Sequence, residues 1–135
     1  MICALALLWA MAPARADDMG AALAAARTIF LQGVDGDKHA VREATRRFRT
    51  LSVDHPGDPV LLAYFGASVT LQGRDAANGI DKERLTEDGL AKVDRALELV
   101  AAQKHEDPLG YLDTLLVAAD TFIHIPAFFN RHERG

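Results

Sequence analysis

The chain has 135 residues, half of them apolar and a quarter charged, with a formal net charge of −4. That length makes one domain, burying about two-thirds of the surface its unfolded chain exposes, and the acidic balance argues against nucleic acid as the main partner. The one cysteine, Cys3, excludes an internal disulfide and lies in the segment predicted below to be removed.

Residues 1–18, "MICALALLWAMAPARADD", hold an apolar run from Ile2 to Met11 and then Ala14-Arg15-Ala16. The run is shorter than the ~20 residues needed to span a bilayer, and the small-residue site has the form that signal peptidase cleaves. Residues 1–16 are therefore expected to be a signal peptide, and 17–135 a single exported, periplasmic domain. No Lys or Arg precedes the apolar run, so either the signal is atypical or the natural start lies upstream, and the second is expected. Cleavage removes Cys3 and Arg15, making the net charge −5. No transmembrane segment is expected in the mature chain.

The remainder reads as all-α, because no segment alternates apolar and polar residues long enough for a strand. A first helix is predicted from Asp18 to Gln32, closed by Gly33. A second runs from Lys38, capped by Asp37, to Val53. Asp58-Pro59 is a strong start signal for a third, expected to end near Gln72 with Gly73 as its terminator. After the polar stretch "RDAANGI", Asp81 is expected to cap a fourth helix reaching Gln103. Asp107-Pro108 opens a fifth, ending at Ile125, and Pro126 starts a short sixth. Short connections predict an antiparallel array of helix hairpins.

Leu62, Phe65, Gly66 and Val69 fall on one stripe of the third helix. A mid-helix glycine costs about 1 kcal/mol relative to alanine, so Gly66 is expected to offset that cost by a close helix–helix approach, as are Gly73 and Gly89. This stripe resembles the first helix of a tetratricopeptide repeat, with Gly66 at its small position and Gly73 at its turn. Ala44, Phe48, Leu51 and Pro56 match the spacing of the second helix. Gly89, Val93 and Ala96 match it again, but Ala101 stands where proline belongs. Ala44 and Gly89 are 45 residues apart where the family repeats every 34 or so, which predicts extra residues in an irregular central turn. The resemblance covers most of Thr28 to Ala101 and stops at the fifth helix.

The resemblance implies a non-catalytic protein–protein interaction module, an adaptor or assembly factor of the bacterial cell envelope. It implies that Val60, Ala63, Ala67 and Thr70 line a concave face. None of these carries a charged or amide donor, so apolar or shape-based recognition of a helix or extended segment is expected. Phe122, Phe128 and Phe129 gather near the C-terminal end and form a second candidate surface, for a protein partner or for self-association.

The competing expectation is a small-ligand-binding or enzymatic bundle with an acidic and histidine-lined cleft. His39, His55, His105, His124 and His132 show no metal-ligand spacing on one helix. "DGDKHAVREATR" begins like a calcium loop, but Ala40 stands where the turn glycine belongs and Arg46 where the bidentate glutamate does. No nucleophile elbow, phosphate-binding loop or dinucleotide fingerprint is present. No cofactor, metal or catalytic residue is predicted. Arg42, Arg46, Arg47 and Arg49 cluster on the second helix, where Glu43 is placed to pair with Arg47 at i, i+4.

Overall fold

A computed structural model describes residues 14–103 and 106–125. They form five α-helices: α1 Ala14–Val34, α2 Lys38–Asp54, α3 Pro59–Asp75, α4 Gly79–Gln103 and α5 Pro108–Ile123. The sixth helix predicted from Pro126, with Phe128 and Phe129, lies outside the described residues. No described helix is long and apolar enough to cross a membrane.

Local chemistry explains the helix starts. The Asp37 carboxylate accepts from the His39 and Ala40 amides, and the Asp58 carboxylate from those of Val60 and Leu61. Asp107 accepts from Gly110 N–H. Each satisfies amides that the first helical turn leaves unpaired. Pro59 and Pro108 follow two of these caps at the first helical position, where no N–H is needed. Gly36 and Gly57, at φ 111° and 87°, make the turns before α2 and α3 in a region that side chains disfavour.

Several boundaries differ from the sequence reading. α1 begins at Ala14 and runs through Gly33 to Val34, so Gly33 does not close it but packs against Val41. α5 ends at Ile123, with His124 as its C-cap, not at Ile125. α3 does not end at Gly73 but runs to Asp75, with Ala76 as its C-cap. α4 is entered through Asn78, whose side-chain oxygen accepts from Asp81 N–H and whose backbone carbonyl accepts from Lys82 N–H. Asp81 thus sits inside the first turn. The expected long central turn shrinks to residues 76–78, and the extra residues of this hairpin lie in α4, 25 residues long.

Successive helices run antiparallel. Phe30 meets Phe48 while Gly33 meets Val41, and Gly66 meets Val93 while Gly73 meets Lys82. In each pair one helix is ascended as the other is descended. α1, α3 and α5 are parallel to one another, since Tyr64 faces both Arg27 and Asp113 and Arg74 reaches Val34. The result is an all-α helix-hairpin array in which α3 is central, packed against the other four helices.

The core is built from small residues and a few large ones: Ala26, Phe30, Ala44, Phe48, Leu61, Ala63, Ala67, Ala96 and Val117. Alanines on facing helices let the backbones come close, and the closest pair is α3 and α4. A Cβ added at Gly66 would lie 2.6 Å from the Gly89 carbonyl oxygen and 2.9 Å from the Val93 nitrogen. One at Gly73 would lie 2.9 Å from the Thr86 nitrogen. Gly73 therefore acts as a packing glycine within α3 and does not terminate it.

Candidate functional site

Central placement decides the fate of the residues expected on a concave face. Val60, Ala63 and Ala67 are buried, and Ala63 and Ala67 belong to the core cluster. With α1 and α5 flanking α3, Val60 and Ala63 have no open surface to offer a partner. Ala67 and the half-buried Thr70 do reach a cavity, of about 280 Å³, where the C-terminal ends of α1, α3 and α5 meet the first turns of α4.

Phe30 and Val34 from α1, Ala67 and Leu71 from α3, and Ile125 beyond α5 supply its apolar lining. Arg74, Lys82, Asp120 and His124 bring charge to it. Arg74 is fully engaged: its guanidinium donates to the Gly33 and Val34 carbonyls at 3.0 and 3.2 Å and to Asp75 at 2.8 Å. It thereby caps the C-terminus of α1, where a cation is favoured. His124 is the C-cap of α5, its ring nitrogen 2.8 Å from the Asp120 carbonyl oxygen and 3.3 Å from the Asp120 carboxylate. Lys82 makes no ion pair or hydrogen bond through its ammonium among the described residues.

At the other end of the same row, Tyr64 is a hub. Its ring stacks on Phe48 with centroids 4.9 Å apart and meets the edge of Phe30 at 5.3 Å. The Arg27 guanidinium lies 5.2 Å from its centroid, and its hydroxyl donates to Asp113 at 3.2 Å. Arg27 also pairs with Asp113, joining α1 to α5. Burial, followed by the Asp113 charge, raises the Tyr64 hydroxyl above its ordinary value. Nothing in the local sequence marks Arg27 and Asp113 as partners, 86 residues apart.

The second surface is α5. Leu109, Leu112, Leu116 and Ile123 are 79, 55, 70 and 77 % exposed, and Leu115 and Phe122 are exposed beside them. Leu109, Leu112, Leu116 and Ile123 fall at i, i+3, i+7 and i+14, a single stripe along the helix. The opposite face, Thr114, Val117, Ala118 and Thr121, is buried against α3 and α4. Of the three C-terminal aromatics singled out in the sequence, only Phe122 is described. The aliphatic stripe around it is the larger feature, and its heptad spacing was legible in the sequence.

The arginines of α2 are mostly occupied. Arg46 and Arg47 both grip Glu43 at 2.7 Å, so the Glu43–Arg47 pair is joined by a second one. Together they hold the Glu43 carboxyl down at about 2. Arg49 lies over the Phe65 ring at 5.7 Å, with Lys92 at 5.2 Å from the same ring. Among the described residues no cluster of three His, Cys, Asp or Glu side chains could hold a metal ion.

Compared with protein-family models, curated proteins and solved structures, the chain has no match.

Proposed function

We propose that this chain is a non-catalytic protein–protein interaction module of the bacterial cell envelope, of tetratricopeptide-like build, and that it assembles with a second copy of itself through α5. The observation that carries this reading is the uncovered stripe of Leu109, Leu112, Leu116 and Ile123. In this array α1 packs on α2 and α3 on α4, whereas half of the surface of α5 has no neighbour among the described residues. Contiguous exposed apolar surface of this kind marks an interaction site.

The stripe suits a second copy because it is self-complementary. Leu109 and Ile123 each lie seven residues from Leu116, about 10.5 Å along the helix. A two-fold antiparallel pairing centred on Leu116 lays the Leu109 end of one copy on the Ile123 end of the other. The stripe itself carries no charge that such a pairing would bury. Export through the predicted signal peptide is part of the same proposal, and so is the absence of catalytic chemistry.

The test is sedimentation of the chain isolated from an exporting host, with its N-terminus read by mass spectrometry. The expected result is cleavage after Ala16 and a concentration-dependent dimer that a Leu112→Ser, Leu116→Ser variant loses while staying folded. A parent that is monomeric at about 100 μM overturns the pairing, since an interface that weak lies far from the usual specific range. A Leu112→Ser, Leu116→Ser variant that stays folded and dimerises like the parent also overturns it.

The alternative of a small-ligand bundle is favoured by one observation, the cavity between α1, α3, α4 and α5. Its His124 and Asp120 are exposed and bonded to each other at the end of α5. They close a helix end and do not converge on a reacting atom.

A further inference from the structure

The cavity at the ends of α1, α3 and α5 has a polar corner that the fold does not use. Five hydroxyl-bearing residues are buried: Thr45, Ser68, Thr86, Thr114 and Thr121. Four of them donate to the carbonyl four residues earlier, at 2.7–2.8 Å. Thr86 is the exception. It is 3 % exposed, lines the cavity, and its side chain makes no hydrogen bond among the described residues. The fully buried side-chain atoms left without a partner are Arg27 Nε and Ser52 Oγ, whereas the unpaired Thr86 hydroxyl is available to a group that enters the cavity.

One turn earlier on the same face of α4 stands Lys82, half-buried, lining the same cavity and equally without a partner for its ammonium. Residues four apart on a helix are neighbours, so the ammonium and the hydroxyl act from one side. Lys82 also occupies the first turn of α4, where the helix dipole disfavours a cation. Nearby charges on α4 are matched, Asp81 with Arg84 and Asp88 with Lys92. The second cation of the cavity, Arg74, is held by α1 carbonyls and Asp75.

Facing this corner are Phe30, Val34, Ala67 and Leu71, which offer an incoming group only hydrocarbon. The cavity measures about 280 Å³, nearly twice the ~150 Å³ of an apolar cavity that admits benzene. We propose that it binds a small monocarboxylate with an apolar body, such as a medium-chain or arylalkyl acid. Its carboxylate accepts from the Lys82 ammonium and the Thr86 hydroxyl, and its tail lies against Phe30, Val34 and Leu71. An anion satisfies both idle donors at once, and charge-assisted hydrogen bonds are the stronger kind. A cationic ligand has only Asp120, already bonded to His124.

Titration calorimetry of the full chain with octanoate, octanol and octylamine tests this. The expected result is one octanoate per chain, with octanol at least about tenfold weaker and octylamine not bound, as loss of a charged hydrogen bond implies. Lys82→Met should weaken octanoate by at least about tenfold and Thr86→Val, which keeps the shape, by several-fold. Both variants should leave octanol binding unchanged, a control that they remain folded and the cavity open. No binding of octanoate, equal binding by Lys82→Met, or preference for octylamine each overturns the proposal. The Leu112→Ser, Leu116→Ser variant should bind octanoate like the parent, so the fate of this site and that of the α5 pairing are read separately.

Discussion

Gly66 shows how much a single missing side chain can decide. Its Cα lies so near α4 that a methyl group would collide with the Gly89 carbonyl and the Val93 amide, both backbone atoms. Rotamer changes relieve a clash with a side chain, but a clash with backbone moves a helix. Gly66→Leu is therefore expected to destabilise the chain by more than the usual overpacking cost of about 1–3 kcal/mol. At about 4 °C or more per kcal/mol in a domain near 100 residues, thermal melting followed by circular dichroism will register it. A Gly66→Leu chain that melts with the parent would mean that α3 and α4 are not in contact there. The stripe through Leu62, Phe65, Gly66 and Val69 made this position legible, because a glycine amid apolar helical spacing has few other uses. Gly73 was harder to read. A glycine preceding Arg74-Asp75 looks the same in sequence whether it ends a helix or admits Thr86. Only the position of α4 distinguishes the two.

At the scale of an element, what could be read was what the chain determines locally. Asp58-Pro59 and Asp107-Pro108 are a cap and a prefixed φ in adjacent residues, so both starts fall where the pattern puts them. The start of α4 was misplaced because Asn78 and Asp81 are both capable caps, and their choice depends on how α3 ends. α2 offers a test of local electrostatics. Glu43, whose ordinary value is 4.5, is held at about 2 by hydrogen bonds first from Arg46 and then from Arg47. A carboxylate depressed in the folded state stabilises fully above its unfolded value and loses that contribution as pH falls through the folded one. The window here runs downward from about 4.5 to about 2. Melting of the parent and of Glu43→Gln should differ at neutral pH and converge within that window. A gap that persists unchanged at the acid end would show that Arg46 and Arg47 do not hold the carboxylate in solution. Because the pair is exposed to solvent, the gap should also shrink in molar salt.

Across the whole molecule, the parallel row of α1, α3 and α5 is tied by contacts that no window of sequence contains. Arg27 and Asp113 come from the first and last described helices, and Tyr64 lies between them on the central one. Sequence spacing predicted helices and their stripes. It could not say that Val60 and Ala63 would be enclosed by α1 and α5, or that the corner of Lys82 and Thr86 would open onto a cavity. Those outcomes depend on which helix lies beside which. The hub itself can be tested through pH. Burial and the Asp113 carboxylate raise the Tyr64 hydroxyl above its ordinary value of 10.0, while Arg27 opposes them. A group raised in the folded state contributes stability that is fully present below its unfolded value. That contribution is lost as pH rises toward the folded one. For Tyr64 the loss begins near pH 10 and continues upward, because the unfolded chain releases the proton first. Tyr64→Phe keeps the stacking on Phe48 and the edge contact with Phe30 but removes the hydroxyl. Urea unfolding at about pH 7 should place this variant about 1–2 kcal/mol below the parent, as for a lost hydrogen bond to a charged group. At about pH 11 the gap should be narrower, since only the parent has a hydroxyl whose folded-state protonation is then being forfeited. A gap of the same size at both pH values would mean that the hydroxyl does not face Asp113, and the tie between α3 and α5 would then rest on packing alone.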